Sequence, residues 1–226
     1  MGRRLVGRIL YQEKRGRMKT LTVLANKYRS DKGTKGEGSH GYTKEYSKYF
    51  PKNIGSLLEI GVAKGASALM WKEYYPEAEI HLFDLFKDPE HVTMDWCRQN
   101  GFYPYQGDQN YVEDYDQIAQ QFDVIVDDGS HRADHMLISF KHLFVNNLKP
   151  EGLYAIEDTH CNKDRFYDGG LVTQFSETPL GTFKRLLEGG YIENPYFEHV
   201  DYHHFEYFIK DIKILAKEKL ILIWKR

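Results

Sequence analysis

Two short apolar runs in this chain each end in a burst of acid. Val124-Ile125-Val126 leads into Asp127-Asp128-Gly129-Ser130-His131, and Leu153-Tyr154-Ala155-Ile156 leads into Glu157-Asp158. Apolar runs of this length, separated by a helical stretch, read as buried parallel strands. Parallel neighbours need crossover connections, usually helices, so the chain is confined to an α/β architecture. In open α/β sheets, ligands bind outside the carboxyl ends of the strands. Carboxylates at the ends of two neighbouring strands therefore converge on one cleft, with a histidine beside them. Such a cleft can hold a hard cation and move a proton.

The same alternation runs along most of the sequence. Strands are predicted at 57–60, 80–84, 102–105, 122–127 and 153–156, and helices at 20–30, 66–75, 89–100, 111–121, 132–148 and 179–188. Pro89 is placed in the first turn of its helix. Met136, Phe140, Leu143 and Phe144 fall on one side of theirs. At the carboxyl end, Ile212–Leu215 and Leu220–Trp224 are too close for a crossover and must pair antiparallel. The expected fold is one doubly wound, mostly parallel seven-stranded sheet closed by an antiparallel hairpin. Residues 1–50 read as a basic arm followed by a helical appendage or lid, and residues 51–226 as the single domain. Within that lid, 30–42 reads as a mobile loop and Tyr49 and Phe50 as a packing face, while His40, Tyr42 and Tyr46 could exclude water from a reacting group. Residues 159–177 read as a polar loop.

Charge and cysteine usage narrow the function classes. A net charge of -2 over 226 residues gives no general pull towards nucleic acid or anionic membrane. No apolar stretch approaches the roughly 20 residues that span a bilayer. Cys97 and Cys161 form neither a disulfide framework nor a metal-ligand spacing, which makes a reducing cytoplasm the expected compartment. The basic residues between Arg3 and Lys19 lack the apolar core of a signal peptide. They read as a solvated extension upstream of a start at Met18, with a phosphate-contacting arm as the sharper alternative.

Glu59-Ile60-Gly61-Val62-Ala63-Lys64-Gly65 occupies the first strand-to-helix turn, where glycines let the backbone bend and approach a ligand. It matches neither the dinucleotide fingerprint nor the phosphate loop. Asp84, at the end of the next strand, can accept hydrogen bonds from ribose hydroxyls, and Gly107-Asp108-Gln109 ends the third. This set, with the late hairpin, resembles the class I S-adenosylmethionine-dependent methyltransferases. More narrowly, LANKYRSDKGT (24–34), HGYTKEY (40–46), QGDQ (106–109), VDDGSH (126–131) and LYAIEDTH (153–160) resemble the macrocin/mycinamicin-type sugar O-methyltransferases. The resemblance implies a Rossmann-like fold, S-adenosylmethionine as cofactor and Mg²⁺ as metal. It places Glu59, Gly61 and Gly65 at the methionine and ribose portions, Asp84 at the ribose, and Asp108 and Gln109 near adenine. It puts metal ligands on Asp128, Glu157 and Asp158, and the base on His131. Beyond His160 no family pattern continues, so the acceptor is left open.

Methyl transfer from a sulfonium is an in-line displacement, and a sugar hydroxyl needs help losing its proton. An all-oxygen cluster suits Mg²⁺ and disfavours zinc. A neutral imidazole at position 131 has the ordinary pKa of a general base, about 6.5. Asp127 is expected to face the other side of its strand, because side chains alternate. The expected activity is O-methylation of a saccharide acceptor, with no nucleic-acid or membrane partner and with self-association open. A phenolic or amino-sugar acceptor is the alternative, and a non-catalytic cofactor-binding module a third reading. Tyr202-His203-His204 reads as packing or surface; His160, Cys161 and Asn162 lie close enough to the second acidic cluster to be weighed as substrate contacts.

Overall fold

Strand β1 (Ser56–Ile60) is buried at every position, the mark of a parallel strand covered on both faces. The structure, a computed structural model, describes residues 19–36, 38–163, 177–189 and 207–226. The basic segment up to Met18, most of the polar loop after Asn162 and Tyr202-His203-His204 lie outside the described residues. In chain order the elements are α1 (Leu21–Tyr28), α2 (Thr43–Tyr49), β1, α3 (Ala66–Tyr74), β2 (Glu79–Asp84), α4 (Met94–Gln99), β3 (Tyr103–Gln106), β4 (Phe122–Asp127), α5 (Ala133–Asn146), β5 (Leu148–Ile156), α6 (Pro179–Leu187), β6 (Ile209–Leu215) and β7 (Leu220–Lys225). The seven strands form one sheet in the order β3-β2-β1-β4-β5-β7-β6. All pairs are parallel except β5·β7 and β6·β7. This is the expected doubly wound sheet with its antiparallel hairpin.

Alternation along the strands splits the core in two. Leu58, Ile60, Ile125, Tyr154 and Ile156 face α5 and α6, where Met136, Phe140, Leu143, Phe144 and Phe183 are fully buried. Leu57, Val124, Val126, Leu153 and Ala155 face the other layer, with Leu21, Leu24, Tyr46, Phe50 and Trp71. Residues 19–50 are thus part of the second core layer: Phe50 stacks on Trp71 at 5.7 Å, and the hydroxyl of Tyr28 reaches Glu73 of α3.

The register fixes the site. Ile60 lies opposite Phe83 and Asp127, and Asp127 opposite Ile156. With neighbouring strands about 4.8 Å apart, the next residues, Asp84, Gly61, Asp128 and Glu157, stand side by side along the carboxyl edge.

Three expectations are corrected. Helix α4 starts at Met94, because Thr93 accepts a hydrogen bond from the Trp96 amide and caps it; Pro89 precedes it. The helix expected at 111–121 is a single 3-10 turn, Val112–Tyr115, held short as the Tyr115 hydroxyl donates to the Gln109 carbonyl from the core. Strand β5 begins at Leu148, and the register slip between Phe122 and Val124 absorbs the extra residues.

Candidate active site

At the end of β1 the chain turns through Gly61, whose φ is 84°. A Cβ there would lie 2.1 Å from the Asp128 carbonyl oxygen, so only glycine lets the first turn and the β4 end approach this closely. The turn is tied to β2 by Asp84, which accepts hydrogen bonds from the amides of Val62 (2.6 Å) and Phe86 (3.1 Å). Each Asp84 oxygen keeps a second lone pair for a ligand. Gly61, Val62, Asp84 and Asp128 line a cleft of about 710 Å³ together with Gly107, Asp108, Gly129, His131 and His135, a volume typical of a small-molecule site. Among the described residues, Asp31, Asp84, Asp88, Asp108 and Asp128 line it against Lys64 as the one lysine, which favours a cationic ligand.

Below the cleft sits a residue that sequence reasoning missed. Helix α1 ends at Arg29 in the left-handed region, and the loop after it folds on itself. The amides of His40, Gly41 and Thr43 donate to the carbonyls of Asp31, Gly33 and Lys32 at 2.8, 2.8 and 3.0 Å. The stretch expected to be mobile therefore drives the Lys32 side chain, fully buried, under the sheet edge. Its ammonium bonds Asp128 Oδ2, donates to Glu157 Oε2 at 3.0 Å and lies 3.7 Å from Glu59 Oε1. Burial works against the charge, but the carboxylates of Asp128, Glu157 and Glu59 outweigh it and hold the lysine well above its ordinary range.

Around this ammonium the predicted residues divide. Glu59 is fully buried and does not line the cleft; strand alternation aims it at α3, where Ser67 Oγ (2.9 Å) and Trp71 Nε1 (3.1 Å) donate to it. Burial pushes its carboxyl up to about 7, against the pull of Lys32. The expectation that Glu59 lines the cofactor cleft is thus corrected. Gln109 reaches the cleft, but its amide is spent within the protein. Nε2 donates to Asp127 Oδ1 (2.8 Å) and Ser139 (3.1 Å), and Oε1 accepts from the Ser130 amide (2.9 Å). It shapes the Asp128-Gly129-Ser130 turn rather than presenting an amide to adenine. Asp127 faces the opposite side of β4, buried against Ser139 and Tyr154. Burial pushes it up to about 6.

Glu157 is also spoken for: Lys32 holds one oxygen and the Tyr46 hydroxyl donates to the other. Asp158, next along, accepts from the Tyr42 hydroxyl at 2.6 Å through Oδ1. Its Oδ2 lies 4.0 Å from His131 Nε2. Burial, reinforced by these carboxylates, raises both tyrosines and keeps them as hydroxyl donors. Asp128, His131 and Asp158 can bring one ligand atom each within 4.8 Å of one another. Lys32 takes Asp128 Oδ2 and Tyr42 takes Asp158 Oδ1, so the second oxygen of each carboxylate is the one offered to a ligand. Two hard carboxylate oxygens beside an imidazole fit a divalent cation completed by water or substrate oxygens. His131 and Asp158 both hold positive φ, 59° and 54°, backbone strain of the kind that clusters at functional sites. Of the three expected ligands, the geometry brings Asp128 and Asp158 to one point and turns Glu157 toward Lys32 and Tyr46.

Comparison with known proteins fits this geometry. No family model matches the chain. Among curated proteins it is similar to the mycinamicin VI 2''-O-methyltransferase of Micromonospora griseorubida, 35% identical over 163 residues, 66% of this chain and 39% of that protein. It is also similar to the L-olivosyl-oleandolide 3-O-methyltransferase of Streptomyces antibioticus, 31% identical over 188 residues, 79% of this chain and 46% of that protein. The chain thus spans less than half the length of these relatives. Among solved structures it superposes on the MycE methyltransferase of the mycinamycin biosynthetic pathway, in complex with Mg, SAH and mycinamycin VI. The TM-score is 0.70 at 26% identity, covering 92% of this chain and 55% of that one. The SAH-bound methyltransferase PaMTH1 of Podospora anserina shares the fold at a TM-score of 0.53 and 16% identity.

Proposed function

Since this chain is a homologue of sugar O-methyltransferases and carries the class I methyltransferase fold, we propose that it transfers a methyl group from S-adenosylmethionine to a saccharide hydroxyl with the help of Mg²⁺. The observation that carries the reading is the meeting of Asp128, His131 and Asp158 at the rim of the acid-lined cleft. S-adenosylmethionine supplies a methyl group on a positively charged sulfur, and Mg²⁺ lowers the pKa of a hydroxyl bound to it.

The chain's own residues do the rest. The Gly61 turn lets backbone and ligand approach, Asp84 accepts from ribose hydroxyls, and the acid-lined walls favour the cationic donor over its neutral product. Asp128 and Asp158 hold the cation, with Glu157 able to join by giving up its bond to Lys32 or Tyr46. Lys32 fixes Asp128 in place from below. His131 stands beside both carboxylates and takes the acceptor proton at a ring nitrogen. Holding acceptor and donor in line supplies several kcal/mol of the barrier reduction.

The acceptor class rests on the relatives' glycosylated substrates, and the acid/imidazole set by itself serves a phenolic diol equally well. Incubating the protein with labelled S-adenosylmethionine and a panel of glycosides, nucleotide-sugars and catechols tests both layers. Methylated glycoside is the expected product, lost on chelation with EDTA and restored by Mg²⁺. His131→Ala is expected to reduce turnover by roughly 10²–10⁴-fold with cofactor affinity unchanged. Full turnover after exhaustive EDTA treatment contradicts the metal assignment, and methylated catechol alone moves the acceptor class.

A further inference from the structure

Asp158 is approached from a second side. His40, from the loop before α2, places Nε2 3.7 Å from Asp158 Oδ1, and His160 places Nδ1 3.5 Å from the same oxygen. These three residues bring their ligand atoms within 4.8 Å of one another, independently of Asp128 and His131. His160 Nδ1 is buried and, among the described residues, finds no hydrogen-bond partner. The His40 ring is fixed by stacking on Tyr42 at 5.2 Å, and Tyr42 in turn donates to Asp158. A tetrahedral ion with bonds of about 2.0–2.1 Å holds its ligand atoms about 3.3 Å apart. The two separations to Asp158 exceed this by only a few tenths of an ångström and the two histidine nitrogens lie within 4.8 Å of each other, so side-chain χ rotations close the set.

We propose that His40, Asp158 and His160 form a second cation site, suited to a borderline transition ion such as Zn²⁺ or Co²⁺ and sharing Asp158 with the Asp128/His131 set. Two imidazoles and one carboxylate favour such an ion over Mg²⁺, which prefers all-oxygen surroundings. The Tyr42 hydroxyl on Asp158 and the Tyr42 ring under His40 orient two of the three ligands, the kind of outer support that metal sites use. Because Asp158 serves both sites, an ion on the histidines draws this carboxylate away from the Asp128 side. The inference concerns ion binding alone and stands whether or not the chain transfers methyl groups.

Co²⁺ is the probe, added to the full chain in the presence of excess Mg²⁺ and read by its visible absorption. One equivalent is expected to bind with the intense bands of a low-coordinate site. His40→Gln and His160→Gln, measured separately, are each expected to weaken binding by about tenfold or more, while His131→Ala leaves it within about twofold. The two histidine variants are read independently, so either one that folds decides the matter. Absence of bands, binding unaltered in the histidine variants, or binding lost to the same extent in His131→Ala would each overturn the site.

Discussion

A buried lysine among carboxylates is expensive to desolvate, and Lys32 repays the cost only because three acids meet it. Replacing it by methionine leaves Glu59, Asp128 and Glu157 facing one another without a counter-charge. Removing one partner from a buried charge cluster costs about 3–5 kcal/mol, so Lys32→Met is expected to lower the denaturant midpoint by a corresponding amount. Glu157→Gln in the same background should recover part of the loss. Denaturant unfolding of the single and double variants measures that coupling, and strict additivity contradicts the pairing. The convergence of Gly61, Asp84, Asp128, Asp158 and His131 on one edge of the sheet was legible in the sequence because each sits at or just beyond a strand end. Glu59 misled for the opposite reason. It lies inside its strand, and the period of two turns it toward α3, away from the cleft. Lys32 was hidden in a stretch of lysine, glycine and serine that reads as solvated. The available signal was a faint one: four acids at two strand ends, against only Arg132 and Lys163 close by in sequence.

Between elements, the first helices act as a brace for the site. Helix α1 is pinned to α3 where Lys19 and Tyr28 donate to Glu73 at 2.9 and 2.5 Å and Lys27 bonds the same carboxylate. Lys27 leads, with Tyr28 and Lys19, in holding Glu73 down to about 2, against an ordinary value of 4.5. A depressed carboxyl stabilises the fold above its unfolded value and loses that contribution as the pH falls through its folded one. Glu73→Gln is therefore expected to be less stable than the parent near neutral pH, the gap closing toward about pH 2. Thermal or urea melts across that range check it, and a gap independent of pH would show that the charge is irrelevant. At the other side of the site, the β6–β7 turn carries Ala216, Lys217 and Glu218 at positive φ. Thr159 donates from its hydroxyl to the Glu218 carbonyl at 2.7 Å, so the hairpin steadies the segment after Asp158. Strand positions were readable because burial on both faces leaves a continuous apolar run. Helix ends were not, since a cap such as Thr93 or a core hydroxyl such as Tyr115 outweighs the local pattern.

For the whole molecule, the sheet order and the lateral register explain why residues far apart in sequence share one rim. They also bind residues 19–50 into the fold. Tyr42 and Tyr46 are fully buried and donate to Asp158 and Glu157. A chain beginning at Pro51 would expose Trp71 and lose Lys32, so it is expected to lack a cooperative unfolding transition. A truncated chain that melts like the parent would make this segment a detachable lid instead. Among the described residues no helix is long and apolar enough to cross a membrane.

Binding of the methyl donor in the cleft beside Gly61 and Asp84 is the premise of the proposed activity. Titration calorimetry of the full chain with S-adenosylhomocysteine measures this directly. One equivalent is expected to bind, with affinity reduced about tenfold or more in Asp84→Ala, as loss of hydrogen bonds to a ligand's paired hydroxyls implies. No binding by the folded protein, or binding indifferent to Asp84, would contradict it.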